Sequence, residues 1–427
     1  MTDRGWTDMF GALREREFDR LLTGQVVSTT GEAMIPVALS FAVLDMTDSP
    51  ADVGIVLAAG VVPVVLFVLL GGVWADRLPR QRVMMGADLA RVALQTLLAV
   101  LLLSGRATVA EIVVLQAARG TAEAFFRPAI TGLIPQTLAP PRLQQGNALV
   151  NLSQSLGTIA GAALGGLIVA GLGAGWAIAV GALTFLVRAC FLAILRPRPV
   201  AARPQRRAFL AELAAGWRAF HSRTWLWLLV VELSVFGLAV YGPFMVLGPV
   251  VAKEKLGGAA AWGFILASGA TGMLIGALIA MRMRPRRPLR LAGLAMLADV
   301  VPFSLLALGG APVTVIVTAS FAGISLAIFQ IVWQTALQEH VPQAELSRVT
   351  AWNWLGLLIF FPLGLVLAGP VSDVLGVAQT LWVSAATILV LVLVGLSVPS
   401  MRNLPNRAAE AQATAPVANP DERRAEG

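Results

Sequence analysis

The chain has 427 residues, of which 57% are hydrophobic and 13% charged, and its mean hydropathy is +0.78. Soluble domains carry about a quarter charged residues, so this composition argues against two or three soluble domains. It leaves room for about a dozen membrane spans of roughly 20 apolar residues each. The formal charge of +8 does not indicate nucleic acid, because the arginines stand between apolar runs without interleaved aromatics, which is a topology pattern. A single cysteine, Cys190, excludes a disulfide framework.

Taken in chain order, the first segment (residues 1–20) is polar, with Arg4, Arg14, Arg16 and Arg20, so no cleavable signal peptide is expected. Twelve helices follow, at about 21–44, 53–75, 83–104, 108–134, 143–171 and 174–195, then 225–251, 259–281, 291–310, 312–338, 346–370 and 377–399. The length of the runs and the lack of period-two alternation favour helices over barrel strands. The turns after the odd-numbered helices hold Arg106, Lys253 and Lys255 as their only cations, while the N-terminus, the even-numbered connections and the tail are rich in arginine. By the positive-inside rule both termini are cytoplasmic, in a multi-pass protein of the cell (plasma or inner) membrane.

Between the sixth and seventh helices, residues 196–223 contain seven arginines against one acid, Glu212. The Pro/Arg-rich first part reads as linker, and residues 209–220 have the spacing of a helix lying on the membrane surface. The expected organisation is an N-terminal six-helix half (1–195), a cytoplasmic linker (196–224), a C-terminal six-helix half (225–400) and a disordered cytoplasmic tail (401–427). Sliding the sequence by 203 residues brings Gly161, Gly166, Leu172 and Gly173 onto Gly364, Gly369, Leu375 and Gly376 without a gap. The fold class is therefore an all-α polytopic membrane protein with two parallel six-helix repeats, an architecture that places a substrate site between the repeats at the midplane.

Charges inside the hydrocarbon need a partner or a cavity, since each costs roughly 2.5–3.5 kcal/mol near a helix centre. Glu32 falls about halfway through the first helix, and Arg119 reaches a similar depth in the fourth from the opposite side. Glu123 lies one turn beyond Arg119 on the same face, where the two can form a self-neutralising pair. Asp299 is near the midplane of the ninth helix, while Glu232, Asp88, Arg91 and Arg188 lie nearer the cytoplasm. Glu32 reads either as a protonated acid hydrogen-bonded between helices or as a titrating carboxylate in a cavity. Proton coupling is accordingly expected at Glu32 first, then Asp299 and Glu123. Gln25, Gln116, Arg119, Asn147, Asn151, Gln154, Trp333 and Trp352 are the candidate cavity lining.

Five stretches carry a family resemblance. The turn "GGVWADRLPRQRV" (71–83) contains Gly72, Asp76, Arg77 and Arg80 in the pattern G-x-x-x-D-R-x-x-R, which resembles the signature loop of the major facilitator superfamily. Pro79 stands where that pattern has a glycine. "FDRLLTGQVVSTTGEAM" (18–34), "ARGTAEAFFRPA" (118–129) and "PPRLQQGNALV" (140–150) resemble the branch that contains enterobactin exporters and macrolide efflux pumps, which often has an acid after the glycine at the position of Glu32. "GTIAGAALGG" (157–166) is similar to the antiporter signature G-x-x-x-G-P-x-x-G-G, with Gly157, Gly161, Gly165 and Gly166 in place and Ala162 at the proline. The resemblance implies that Gly72, Asp76, Arg77 and Arg80 latch the cytoplasmic side when the transporter opens outward; topology alone would explain the arginines but not the acid. The four glycines of the fifth helix give close helix packing in any case.

No P-loop motif is present, so no ATP-driven step is read, and His221 and His340 lack metal-ligand spacing; no metal and no cofactor is expected. The function implied is secondary active transport without enzymatic chemistry: a proton-coupled exporter of a bulky, fairly apolar small molecule such as a drug, antibiotic or siderophore. A proton-coupled importer of a nutrient or iron chelate is the alternative, and a membrane receptor or membrane-embedded enzyme fits less well. The partners are the lipid bilayer, protons and one small-molecule substrate, and the chain is read as a monomer.

Overall fold

A computed structural model describes residues 10–198 and 223–405; within that range the side chains of 10, 69, 73, 75, 76, 344, 347, 348, 351–355 and 357 lie outside the description. The surface helix expected at 209–220 and most of the expected tail also fall outside it. Among the described residues there is no strand. The long helices are α1 (Arg16–Thr47), α2 (Pro50–Arg77), α3 (Arg80–Leu103), α4 (Val109–Thr137), α5 (Leu143–Leu172) and α6 (Ala174–Ala193). They continue with α7 (Thr224–Leu256), α8 (Ala259–Ala280), α9 (Pro288–Leu308), α10 (Pro312–His340), α11 (Gln343–Leu375) and α12 (Val377–Ser397). Eleven are both long and apolar enough to cross a membrane. The exception is α4, which has the length but carries Arg119, Glu123 and Arg127 through its middle.

Local chemistry sets the ends. Ser49 accepts the Asp52 N–H at the start of α2, and Thr108 and Glu111 form a reciprocal capping box at the start of α4. The α5–α6 and α11–α12 connections each turn on one glycine in a left-handed conformation, Gly173 (φ 95°) and Gly376 (φ 93°). These two are 203 residues apart, the offset of the internal repeat.

The repeat also holds in the packing. Gly161 of α5 lies against the backbone of Thr30 in α1, and Gly364 of α11 lies against Gly237 and Leu238 in α7. Gly166 of α5 meets Ala259 and Gly263 of α8, and Gly369 of α11 meets Ala51 of α2. Equivalent positions therefore do equivalent work: the first glycine packs within a half and the second packs across to the other half. A methyl group on Gly166 would sit 2.6 Å from the Ala259 carbonyl and 2.9 Å from the Gly263 Cα, so these crossings accept no side chain.

The close approaches between halves gather at one end of the bundle, beside the α1–α2 and α7–α8 connections. There Lys253 of α7 donates to the Leu44 carbonyl at 2.7 Å and pairs with Asp48 at 2.9 Å and Asp45 at 3.0 Å, all at the end of α1. This end is closed.

Two helices are irregular where they border the centre. α7 contains a π-turn at Gly237–Tyr241, and α9 tightens to a 3-10 turn at Met296–Asp299. Each irregularity has a proline just beyond it. Pro243 cannot donate to the Ala239 carbonyl, nor Pro302 to that of Ala298, so the regular ladder fails at those points.

Candidate substrate and coupling site

The interior of the first half holds a charge network on four helices. Asp88 and Arg91 stand one turn apart on α3, Glu123 and Arg127 one turn apart on α4, and Arg188 enters from α6. Arg188 grips Asp88 with a two-pronged fork, its Nε 2.8 Å from Oδ2, and its Nη1 donates to Gln25 of α1 at 3.3 Å. Arg91 pairs with Glu123 and approaches Asp88 at 3.6 Å. Arg127 donates its Nε to Glu123 at 2.7 Å. The flat faces of both buried guanidiniums rest against Phe126, 3.9 Å from its centroid for Arg188 and 4.7 Å for Arg91. Charges that would each be expensive in hydrocarbon are thus paired, hydrogen-bonded and covered by aromatic faces.

Arg119 does not pair with Glu123, contrary to the sequence expectation. Side chains on a helix lean toward its N-terminus. Arg119 accordingly reaches back to Gln116, donating its Nε to Oε1 at 2.7 Å, and Glu123 receives Arg127 from the following turn. Gly60 of α2 makes room for the guanidinium, since a Cβ there would lie 2.9 Å from Arg119 Nη2. Gln116 in turn donates to Gln95 of α3 at 3.4 Å.

Glu32 is half-buried on α1. Among the described residues it makes no hydrogen bond and no ion pair, although the fields of Arg91, Arg119, Arg188 and Glu123 all reach it. With Arg127 largely exposed, the interior of this half holds three cations (Arg91, Arg119, Arg188) and two paired anions (Asp88, Glu123). Glu32 is the third anion, and it is the one without a fixed partner.

A cavity of about 300 Å³ lies between the halves. Ala33 and Pro36 of α1 and Thr158 and Ala162 of α5 form its wall on one side, and α7, α8, α9 and α10 form the rest. Asp299, buried at the end of the 3-10 turn, borders it and accepts a hydrogen bond from Ser325 at 3.0 Å. Asn147, Asn151 and Gln154 are exposed and share the helical face of Thr158, so a polar stripe runs from the cavity along α5 away from the closed end.

The other predicted positions divide as follows. Gln25 is buried as a ligand of Arg188 and does not face the cavity wall. Trp333 is also away from the cavity: it is buried on α10, edge-on to Trp225 at 5.8 Å, because its ring completes the apolar core at that end of the second half. The side chains of Trp352 and Asp76 lie outside the described residues. Gly72 has open space where a Cβ would stand, Arg77 is exposed, and Arg80 donates to the Gly132 carbonyl of α4 at 2.6 Å. Gly157, Gly161 and Gly165 line the α1 contact, at Thr29, Thr30 and Met34, while Gly166 crosses to the other half. Sequence reasoning left Asp88, Arg91 and Arg188 out of the site. Their depth in apolar helices was the available signal, but their pairing across α3, α4 and α6 is not written in any one segment.

Two pseudosymmetric six-helix halves, closed at one end around a central cavity with carboxylates near it, define a membrane carrier of the alternating-access kind. The family profile of the Major Facilitator Superfamily matches residues 21–359, and the chain belongs to that family. It is 26% identical over 400 residues to the multidrug efflux pump Tap of Mycolicibacterium fortuitum, covering 90% of this chain and 96% of Tap. It is 24% identical over 394 residues to macrolide efflux protein A of Streptococcus pyogenes, covering 91% of this chain and 97% of that protein. The solved structure of the nucleoside transporter NupG superposes with a TM-score of 0.72 at 14% identity, covering 88% of this chain and 98% of NupG, a likeness of fold.

Proposed function

We propose that this transporter is a proton-coupled exporter of a bulky, largely apolar small molecule, with Glu32 as the coupling carboxylate. The observation that carries the reading is the position of Glu32. It is the unpaired acid beside a network whose other acids are already committed to arginines, one helical turn from Pro36 on the cavity wall. An acid so placed can exchange a proton without dismantling the network. Its loss of charge is felt by Arg119, whose hydrogen-bond partner among the described residues is Gln116 alone. Export is favoured by the efflux activity named for Tap and macrolide efflux protein A. One proton moving through about 100 mV contributes about 2.3 kcal/mol, enough for a gradient of roughly fiftyfold.

The setting is the bacterial inner membrane with both termini cytoplasmic. The arginine-rich connections at 77–82, 196–223 and 282–290 then lie inside, and the end closed by Lys253 lies outside. This makes the structure an inward-open form, with the α5 polar stripe facing the cytoplasm. Asp76 with Gly72, Arg77 and Arg80 forms the latch that holds the opposite, outward-open form.

The test uses everted membrane vesicles and a panel of drugs and siderophores, with and without a proton gradient. Glu32→Gln should abolish gradient-driven accumulation while substrate exchange between the two sides persists. Uphill transport by Glu32→Gln with an unchanged pH profile would remove Glu32 from the mechanism.

A further inference from the structure

The membrane interiors of the two halves differ in charge. The first half carries Arg91, Arg119 and Arg188 against its acids. In the second half the described cations stand only near the helix ends, with Lys253 and Lys255 at one end and Arg223, Arg282, Arg284, Arg286, Arg287, Arg290 and Arg402 at the other. Asp299 lies between these ends, and its side-chain partner is a hydroxyl, Ser325. A carboxylate in such surroundings is stable only when a proton or a cation from elsewhere neutralises it.

Asp299 also borders the cavity, and the residues around it suit one kind of cation. Phe236, Tyr241, Phe244 and Phe303 line the same space, with Phe244 and Phe303 packed at 5.0 and 5.6 Å into a run of rings with Trp262 and each other. The wall from the first half, Ala33, Pro36, Thr158 and Ala162, brings no charge of either sign. Aromatic faces together with a single carboxylate favour a weakly hydrated cation with apolar substituents, through ring quadrupoles and one counter-charge. A sugar, a nucleotide or an anion would meet too few hydrogen-bond donors and the wrong sign.

We propose that the cavity between the halves is a binding site for a lipophilic cation, such as an amphiphilic amine or quaternary ammonium compound, whose charged centre sits on Asp299 within the aromatic wall. This deepens the exporter reading and rests on it for the physiological direction of transport. Binding itself does not depend on that direction. The two unwound segments serve the site directly. The 3-10 turn ends on Asp299, and the π-turn ends on Tyr241, so the two proline-induced irregularities bring the carboxylate and a ring to the same space.

The experiment measures binding of tetraphenylphosphonium, whose charge is permanent, and of neutral triphenylphosphine oxide to the full-length chain in lipid nanodiscs at one pH. Asp299→Asn should weaken tetraphenylphosphonium binding at least tenfold and leave the neutral compound within about twofold. Asp299→Glu should retain most of the affinity, and Tyr241→Leu should lose several-fold. If Asp299→Asn does not fold, the Asp299→Glu and Tyr241→Leu pair decides the matter by the same pattern. Equal binding of the cation by wild type and Asp299→Asn, or equal loss of both compounds, overturns the proposal. Gradient-driven export of a neutral compound by a protein that binds no cation would overturn this site and leave the exporter reading standing. Asp299-dependent cation binding without any gradient-driven transport would do the reverse.

Discussion

Lys253→Met should open the closed end. The ammonium has three donors, and the structure uses all three: the Leu44 carbonyl at 2.7 Å, Asp48 at 2.9 Å and Asp45 at 3.0 Å. The aspartate side chains are 86% and 64% exposed, so water and salt screen these pairs and each contributes at the low end of about 0.2–1 kcal/mol. The bond to the carbonyl is charge-assisted and involves a side chain only 32% exposed, and about 1.5 kcal/mol is the appropriate low-end value. Together, methionine removes about 2 kcal/mol from the closed form with little change in volume, a shift of roughly thirtyfold in the closed-to-open ratio. Spin labels at Arg106 and Ala311, exposed at the same end on different halves, would report the change as a new or larger long-distance population. Lys253→Arg should keep the short-distance population. An unchanged distance distribution in Lys253→Met would mean that the helix crossings at Gly166 and Gly369 hold this end without help from the ion pairs.

The other expectations concern stability, topology and the latch. Arg188→Met leaves the fully buried Asp88 with only its longer, 3.6 Å contact to Arg91 and should destabilise the protein by about 3 kcal/mol, the low end for a broken buried pair; thermal unfolding in detergent measures this, and the double change Asp88→Asn with Arg188→Gln should recover much of the loss. Single cysteines near Thr47 and Gly258 should react with an impermeant reagent added outside intact cells, whereas those near Pro204 and Arg286 should not, and the opposite pattern would invert the assigned orientation. Asp76→Asn should leave insertion unchanged and slow transport, and a wild-type rate would reduce the 71–83 turn to a topology signal.

Eleven of the twelve expected spans were legible because each is a long apolar run ended by a cap, a glycine or a basic turn, and hydrophobic length is a local property; α4 was legible as a helix by its length. Their ends moved by five residues at most, at the start of α1 and the ends of α7 and α11, and in α7 the Lys253 region proved to be a further π-turn of the helix and not a loop. The repeat was legible through glycines, since a position that admits no Cβ leaves a mark in the sequence whatever surrounds it. The partners of charged residues were not legible in the same way. Spacing put Arg119 and Glu123 on one face, but the direction in which helical side chains lean decided that Glu123 takes Arg127 and Arg91 instead. Trp333 was read as a cavity residue on its size and depth, yet which side of α10 meets the cavity depends on how α10 packs on α8 and α9. Lys253 carried only a topology meaning until its three acceptors on α1 came into view.

The charge of α4 has a consequence for how the chain enters the membrane. As α4 emerges during synthesis it must bring Arg119, Glu123 and Arg127 into hydrocarbon, at roughly 2.5–3.5 kcal/mol for each near the centre. Its partner Arg91 and the pocket at Gly60 belong to α3 and α2, which are already made, whereas Arg188 of α6 arrives later and settles Asp88. Helix α4 is therefore a passenger, carried in by α2 and α3. A chain truncated after α4 should integrate all four helices when Arg91 is present and leave α4 exposed to a glycosylation or protease reporter when Arg91 is replaced by leucine. The residues that equip the mature transporter thus also set the order in which its first half can be assembled.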